Sequence, residues 1–399
     1  MTRSPIARGL MAVLLGILVL GAGLASAQTL RIGYLAGPPT LDPHLSTTRA
    51  TADIAINVFE TLVGYGEDFS PQPQIATSWE VSADGLEYTF NIRQGVTFHD
   101  GSALTSADVL ASIERIREVG AYRARLSDVT ELTAPDDYTI KLTLGQPNAS
   151  LFSAFADPLM AILPAEVVDS PELTGDQLIG TGPFRFVEWL PDQHVRLARF
   201  DAYVQHEGEA SGNTGARVAH VEEVLFVPVP EEGARAAGLQ TGEYHIVDGV
   251  PYGAGRRLME SEEVEILQFE QYMKPFIYVN QQESHITGDI NIRRAIQAAL
   301  DHEEIFAVAA EGYGTVDPSI GFGVWTTDAG SEYFNLDDQE LAREYLAAAN
   351  YDGTPIVLVT NTDYDVMYRS ALMIERQLKE VGFEVEVQVY DWAGSRAVR

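Results

Sequence analysis

The stretch from Trp79 to Ile113, WEVSADGLEYTFNIRQGVTFHDGSALTSADVLASI, constrains this chain more than any other. It reads as a strand, a turn, a second strand, a tight hairpin and a capped helix. Ala83-Asp84-Gly85 supplies the first turn. Tyr88, Phe90 and Ile92 alternate with Glu87, Thr89, Asn91 and Arg93, the period-two pattern of a half-buried strand. Asp100-Gly101 is a hairpin signal, because glycine takes the positive φ that such turns need. Thr105, followed three residues later by Asp108, predicts a capping box ahead of Val109, Leu110, Ile113 and Ile116 on one helix face. Taken alone, the run describes an antiparallel module with a helix behind it.

The N-terminus has the form of an export leader. Arg3 and Arg8 make a positive region, Leu10 to Leu20 is apolar, and Ala25-Ser26-Ala27 is an A-x-A cleavage site, so the mature chain is expected to begin at Gln28. Gly9 to Ala27 is uncharged and near spanning length, as a retained anchor would be; the small residues and the cleavage motif favour removal. No later stretch is long and apolar enough to span a bilayer. Cysteine is absent, which excludes disulfides, thiolate metal sites, a cysteine nucleophile and a lipidated N-terminal cysteine. The expectation is a freely diffusing periplasmic protein of a two-membrane bacterium. Net charge is −32, and losing the two leader arginines takes it to −34. Such a field repels phosphate backbones and anionic lipids, which argues against nucleic-acid or membrane-surface binding. The acidity reads as a device for solubility in a salty habitat and says nothing of the ligand's charge. Some 370 residues after cleavage suggest roughly two or three domains.

Along the chain, Leu30 to Tyr34 is an opening strand, and Ile54 to Leu62 has helical spacing. Tyr138 to Leu144 alternates as a strand, and Ala156 to Val168 is broken helix and loop, with prolines at 158 and 164. Gly180 to Phe184 opens a strand set that continues through Trp189, His194 to Phe200 and Val221 to Val227. Glu231 to Gly242 reads as a helix, Tyr244 to Val250 as a strand and Gly253-Ala254-Gly255 as a turn. Ile292, Ala295, Ile296, Ala299 and Leu300 form one helical stripe, and Gln339 to Ala349 is a further helix ended by Asn350. Strand Pro355 to Thr360, helix Val366 to Val381, Gly382 as a C-cap and strand Phe383 to Val389 make a βαβ unit.

The order of these blocks resembles the family 5 extracellular solute-binding proteins, the dipeptide, oligopeptide and nickel receptors of ABC importers. The 79–113 run is similar to the family signature. Leu41-Asp42-Pro43-His44 resembles its LDPH element, and Phe59-Glu60-Thr61-Leu62 its FEGL, with Thr61 in place of glycine. GTGPFRFVEW at 180–189, IRRAIQAALDHEEI at 292–305 and LDDQELAREYLAAANY at 336–351 resemble three further family blocks. The resemblance implies an α/β, two-lobed periplasmic binding protein of type II, cluster C-like, with an extra N-terminal subdomain. It places lobe I at 28–62 and 178–270, the subdomain at 63–177 and lobe II at 271–399. It also implies about another hundred residues beyond Arg399, by domain-size expectations, so lobe II is expected to be incomplete and the chain a fragment, a frameshifted product or a truncated protein. In the family the missing part carries an aspartate that holds the ligand's amine in peptide binders.

Enzyme and motor chemistry finds no motif. None of Lys141, Lys274 and Lys379 sits in a phosphate-cradling loop. G-x-S-x-G is absent, and Asp301-His302-Glu303-Glu304 lacks the second histidine of a zinc protease. His99 beside the Asp100-Gly101 turn reads as a strand-end residue, and Glu222-Glu223 and Glu262-Glu263 as solvated faces. What the resemblance implies instead is a binding protein, without cofactor or metal and likened to monomeric receptors. Two lobes joined by crossing strands would close over a peptide and present it to the membrane permease. Candidate ligand walls are Tyr34, Tyr252, Tyr272, Phe276, Asn280 and Trp325. The same fold could instead take a nickel chelate, glutathione, an opine or an oligosaccharide. Different in class are a secreted hydrolase and a non-functional fragment.

Overall fold

A computed structural model describes residues 28–268, 275–318 and 327–398. The chain divides into two compact units, the first ending at Gly249 and the second beginning at Val250. The strands of the first unit are β1 (Thr29–Tyr34), β2 (Val63–Tyr65), β3 (Pro71–Pro73), β4 (Ala76–Val81), β5 (Glu87–Ile92), β6 (Val129–Asp136), β7 (Thr139–Leu144), β8 (Phe184–Leu190), β9 (His194–Arg199), β10 (Glu223–Pro228) and β11 (Ile246–Val247). The second unit adds β12 (Ile356–Asn361) and β13 (Val385–Tyr390).

The main sheet of the first unit has the order β11-β1-β10-β9-β8. β1 runs parallel to both β10 and β11, while β9 is antiparallel to its two neighbours. Ile54, Ala55 and Val58 of the helix Arg49–Val58 pack with Tyr34, Val195, Leu197, Val224 and Phe226 in one core. The expected helix over 54–62 therefore starts earlier and stops at Val58. Thr61 spends its hydroxyl on the Val63 carbonyl and Gln74, which suits a chain leaving a helix rather than continuing one.

The 79–113 run folds as its pattern predicts. β4 and β5 pair antiparallel, and β5 continues into β7 and then β6. Gly101 has φ 90°, and the Phe98 amide bonds the Ser102 carbonyl across the turn. The helix Ser106–Val119 follows, with the Asp108 carboxylate accepting the Thr105 amide at 2.8 Å and hydroxyl at 3.1 Å. Tyr88, Phe90 and Ile92 point inward, where Phe90 meets Trp79, Tyr88, Phe152 and Phe155 ring to ring. β6 was not expected, because Glu131, Thr133 and Asp136 break its apolar alternation and register shifts interrupt its pairing.

Two family-like blocks turn out to be joints. Asp42 of the LDPH element is fully buried and takes Arg115 end-on through two bonds, from Nη1 at 3.0 Å and Nη2 at 2.6 Å. It also accepts the Leu173 and His44 amides, so one carboxylate holds three chain segments. In the GTGPF block, a Cβ on Gly180 would lie 2.1 Å from the Val58 carbonyl, and one on Gly182 2.6 Å from that of Asn57. Only glycine lets these backbones approach so closely. His99 fastens the same block: its Nδ1 accepts the Gly180 amide and its Nε2 donates to the Gly182 carbonyl. Its ring lies edge-on to Phe200 at 4.9 Å, so this histidine is built into the fold.

In the second unit, β12 and β13 pair in parallel around the helix Asp365–Val381, which ends at Gly382 with φ 109°. Helices Ile290–Ala299 and Gln339–Ala348 share its core. Two expectations need correction. Gly253-Ala254-Gly255 lies inside the helix Tyr252–Met259, whose Leu258 is buried and whose last turn carries Arg256 and Arg257. The strand expected over 244–250 is only β11, two residues long. Residues 275–280, which include the candidate walls Phe276 and Asn280, form no ladder with any described strand, and Phe276, Ile277 and Tyr278 are exposed.

Candidate functional site

In open α/β sheets, ligands are bound outside the carboxyl ends of parallel strands. Here those ends are Tyr34 of β1, Pro228 of β10 and Val247 of β11. The Tyr34 ring is buried edge-on to Phe226 at 5.8 Å. Its hydroxyl is buried and has no hydrogen-bond partner among the described residues. Burial, and then the charge of Asp53, push that phenol above its ordinary range.

Asp53 sits on the adjoining helix, with Arg49 one turn before it at 3.1 Å. Arg49 also reaches Asp248, just past β11, at 3.5 Å. Burial pushes the Asp53 carboxyl up, Arg49 opposes this and Asp248 adds to it. Beneath these groups Arg235 is buried in the helix Glu232–Gln240. It donates to the carbonyls of Val229 at 2.6 Å, Pro230 at 3.0 Å and Gly249 at 2.9 Å. One guanidinium thus fixes the loops that leave β10 and β11. The Val229 amide to the Tyr34 carbonyl and the Asp248 amide to the Gly33 carbonyl complete the frame.

The second unit carries a different surface. Tyr252 opens the helix Tyr252–Met259 and stacks flat on Tyr313, centroids 5.1 Å apart at 10°. Arg256, one turn on, lies over the Tyr313 ring at 5.7 Å and bonds Glu311 at 2.6 Å. Glu311 takes Arg369 on its other oxygen at 3.1 Å. A flat ring pair beside part-exposed guanidinium groups can stack on a planar group and bond a carboxylate. Phe276 meets Tyr278 at 6.4 Å. Asn280 acts locally, its side chain accepting the Gln282 amide and its carbonyl the Thr287 hydroxyl. Tyr272 and Trp325 lie outside the described residues.

Of the candidate walls, the structure therefore puts Tyr34 at a strand end and Tyr252 in a ring stack. Arg49, Asp53, Arg235, Asp248, Arg256 and Tyr313 were not expected. Asp248-Gly249 directly after an apolar pair was the one sequence signal for them, since Gly249 has φ 66° and turns the chain at the sheet edge. Among the described residues no three histidine, aspartate or glutamate side chains gather as metal ligands, and no helix is long and apolar enough to cross a membrane.

The chain is similar in sequence and in fold to several known proteins. The glutathione-binding protein GsiB of Pectobacterium atrosepticum is 27% identical over 374 residues, spanning 90% of this chain and 68% of that protein. The periplasmic binding protein AgaA of A. tumefaciens, solved with agropinic acid, superposes with a TM-score of 0.77 at 29% identity, covering 92% of this chain and 74% of that one. The periplasmic binding protein DppA of Helicobacter pylori, solved with a peptide, gives a TM-score of 0.74 at 24% identity, with 92% and 74% covered. The profile of the bacterial extracellular solute-binding proteins, family 5, matches residues 70–399. The two-lobed α/β architecture, the ordered sequence blocks and this match together make the chain a member of the family 5 solute-binding proteins of ABC importers.

Proposed function

We propose that this chain captures peptides for its importer and delivers them to the permease as a periplasmic monomer, after cleavage behind Ala27. The observation that carries the cargo is the Tyr252–Tyr313 stack with Arg256 beside it. Stacked rings give an apolar seat for peptide side chains, and a guanidinium suits a terminal carboxylate. In this reading lobe I comprises 28–62 and 178–270, the subdomain 63–177 and lobe II 271–399. The walls that hold the solute are drawn from Tyr34, Tyr252, Tyr272, Phe276, Asn280 and Trp325. The chain acts by binding and not by turnover. The solved DppA complex with a peptide supports this choice.

An opine-type ligand is the second reading, favoured by the likeness to the agropinic acid complex of AgaA. Titration calorimetry of the purified protein with di- and tripeptides, glutathione, agropinic acid and a nickel–histidine chelate separates the two. Peptide heats are expected, weakened about tenfold, or roughly 1.4 kcal/mol, by Tyr252→Ala. Heat from agropinic acid with silence from peptides would transfer the reading to opines. Steady consumption of a peptide pool would overturn the assignment to binding without turnover.

A further inference from the structure

Glu60 follows the helix Arg49–Val58 and is completely buried. One carboxylate oxygen accepts Arg93 Nη2 at 3.2 Å and the Thr181 hydroxyl at 2.8 Å. The other accepts the Tyr203 hydroxyl at 3.0 Å and His206 Nε2 at 2.8 Å. Burial opposes its charge, but His206, Arg93 and Arg217 outweigh burial and hold the carboxyl below its ordinary range. The group is ionised, and both oxygens are already shared by two donors.

Three guanidinium nitrogens of the same neighbourhood are left over. Nε and Nη1 of Arg93 and Nη1 of Arg217 are buried with no acceptor among the described residues. Arg217 Nη2 bonds the Ile56 carbonyl, four residues before Glu60. The Arg217 amide bonds Gln205 Oε1, one residue before the His206 that holds Glu60, so both arginines belong to the segments packed around that carboxylate. Two fixed guanidinium charges face a single carboxylate, and His206 contributes no negative charge in either protonation state. Buried donors are normally satisfied, and a buried charge without a counter-charge is costly.

We propose that this junction is a halide site, in which one chloride-sized anion accepts one spare N–H of Arg93 and the Nη1 N–H of Arg217 and balances the surplus positive charge. Burial selects the ligand class: these nitrogens are shielded from solvent, and a monatomic anion needs about the room of a single water, far less than phosphate or a carboxylate ligand. The site would join the 79–113 module, through Arg93, to the irregular segment 200–222, through Tyr203, His206 and Arg217.

The test is a thermal melt of the purified protein in sodium gluconate, with sodium bromide or chloride replacing gluconate at constant ionic strength. The expected result is a saturable rise in Tm of about 2–4 °C with either halide. Non-specific salt effects run the other way, since gluconate is the more stabilising anion. Arg217→Gln and Arg93→Gln should each abolish the halide-dependent rise while still melting cooperatively. Crystals grown in bromide should show an anomalous peak beside both guanidinium groups. A wild-type Tm indifferent to halide, or a bromide crystal with only water there, overturns the proposal even if a variant fails to fold. A halide rise that survives both substitutions overturns it as well.

Discussion

Asp42 and His44 show how much a single residue is asked to do in the first unit. The Asp42–Arg115 pair is enclosed, with both carboxylate oxygens bonded to the guanidinium and to backbone amides. Asp42→Asn leaves Arg115 buried without its counter-charge, and a loss of about 3–5 kcal/mol in chemical denaturation is expected. His44 is buried with Nε2 on the Ala161 carbonyl, and burial pushes its imidazole down to about 4. His99 is likewise pushed down by burial to about 4. The unfolded chain takes up protons at both positions near pH 6.5, and the folded chain does not until near pH 4. Stability is therefore full above pH 6.5 and falls as pH drops through this window, by up to about 3 kcal/mol for His44. Below it, the depressed carboxyls of Asp42 and Glu60 lose their contribution as pH falls through their folded values. Melts from pH 7.5 to 4 should show the first slope, and His99→Gln should flatten part of it. An unchanged slope in that variant would rule out its share.

Among elements, β5 is the one on which the module depends. It is central in its sheet, and Phe90 is its most enclosed ring. Phe90→Ala is expected to cost about 3–5 kcal/mol, read from a urea midpoint. A loss under about 1 kcal/mol would mean that the aromatic cluster repacks. This element was legible in the sequence because alternation, turn and cap agree with one another. The βαβ of the second unit was legible for the same reason, down to the left-handed Gly382. β6 was not, since its polar residues face outward on an edge and the pattern fades there. Gly253 and Gly255 misled because glycine usually marks turns, yet here Leu258 buries the helix regardless. The candidate site was the least legible part. Tyr34 and Tyr252 could be named from their places after a strand and after a proline. Arg235, Asp53 and Tyr313 gain their roles only from partners distant in sequence.

For the whole molecule, charge is the quantity that matters most. A net −32 repels itself in the compact state, and lysine contributes only three positive charges against it. Raising ionic strength from about 10 to 150 mM with any simple sodium salt should raise Tm, because the screening length shrinks from roughly 30 to 8 Å. A flat response would mean that the acidic groups are spaced beyond each other's reach.

One feature of the main sheet bears on time. β1, the first strand made, finds its partners only in β10 and β11, some two hundred residues later. At about 5–20 residues per second of synthesis, Leu30, Ile32 and Tyr34 wait roughly ten to forty seconds for residues 223–247 to emerge. Through that interval the main sheet cannot close, so a chaperone or a secretion channel would meet an open chain. The placement of one strand thus builds into the gene order a period during which the protein remains threadable.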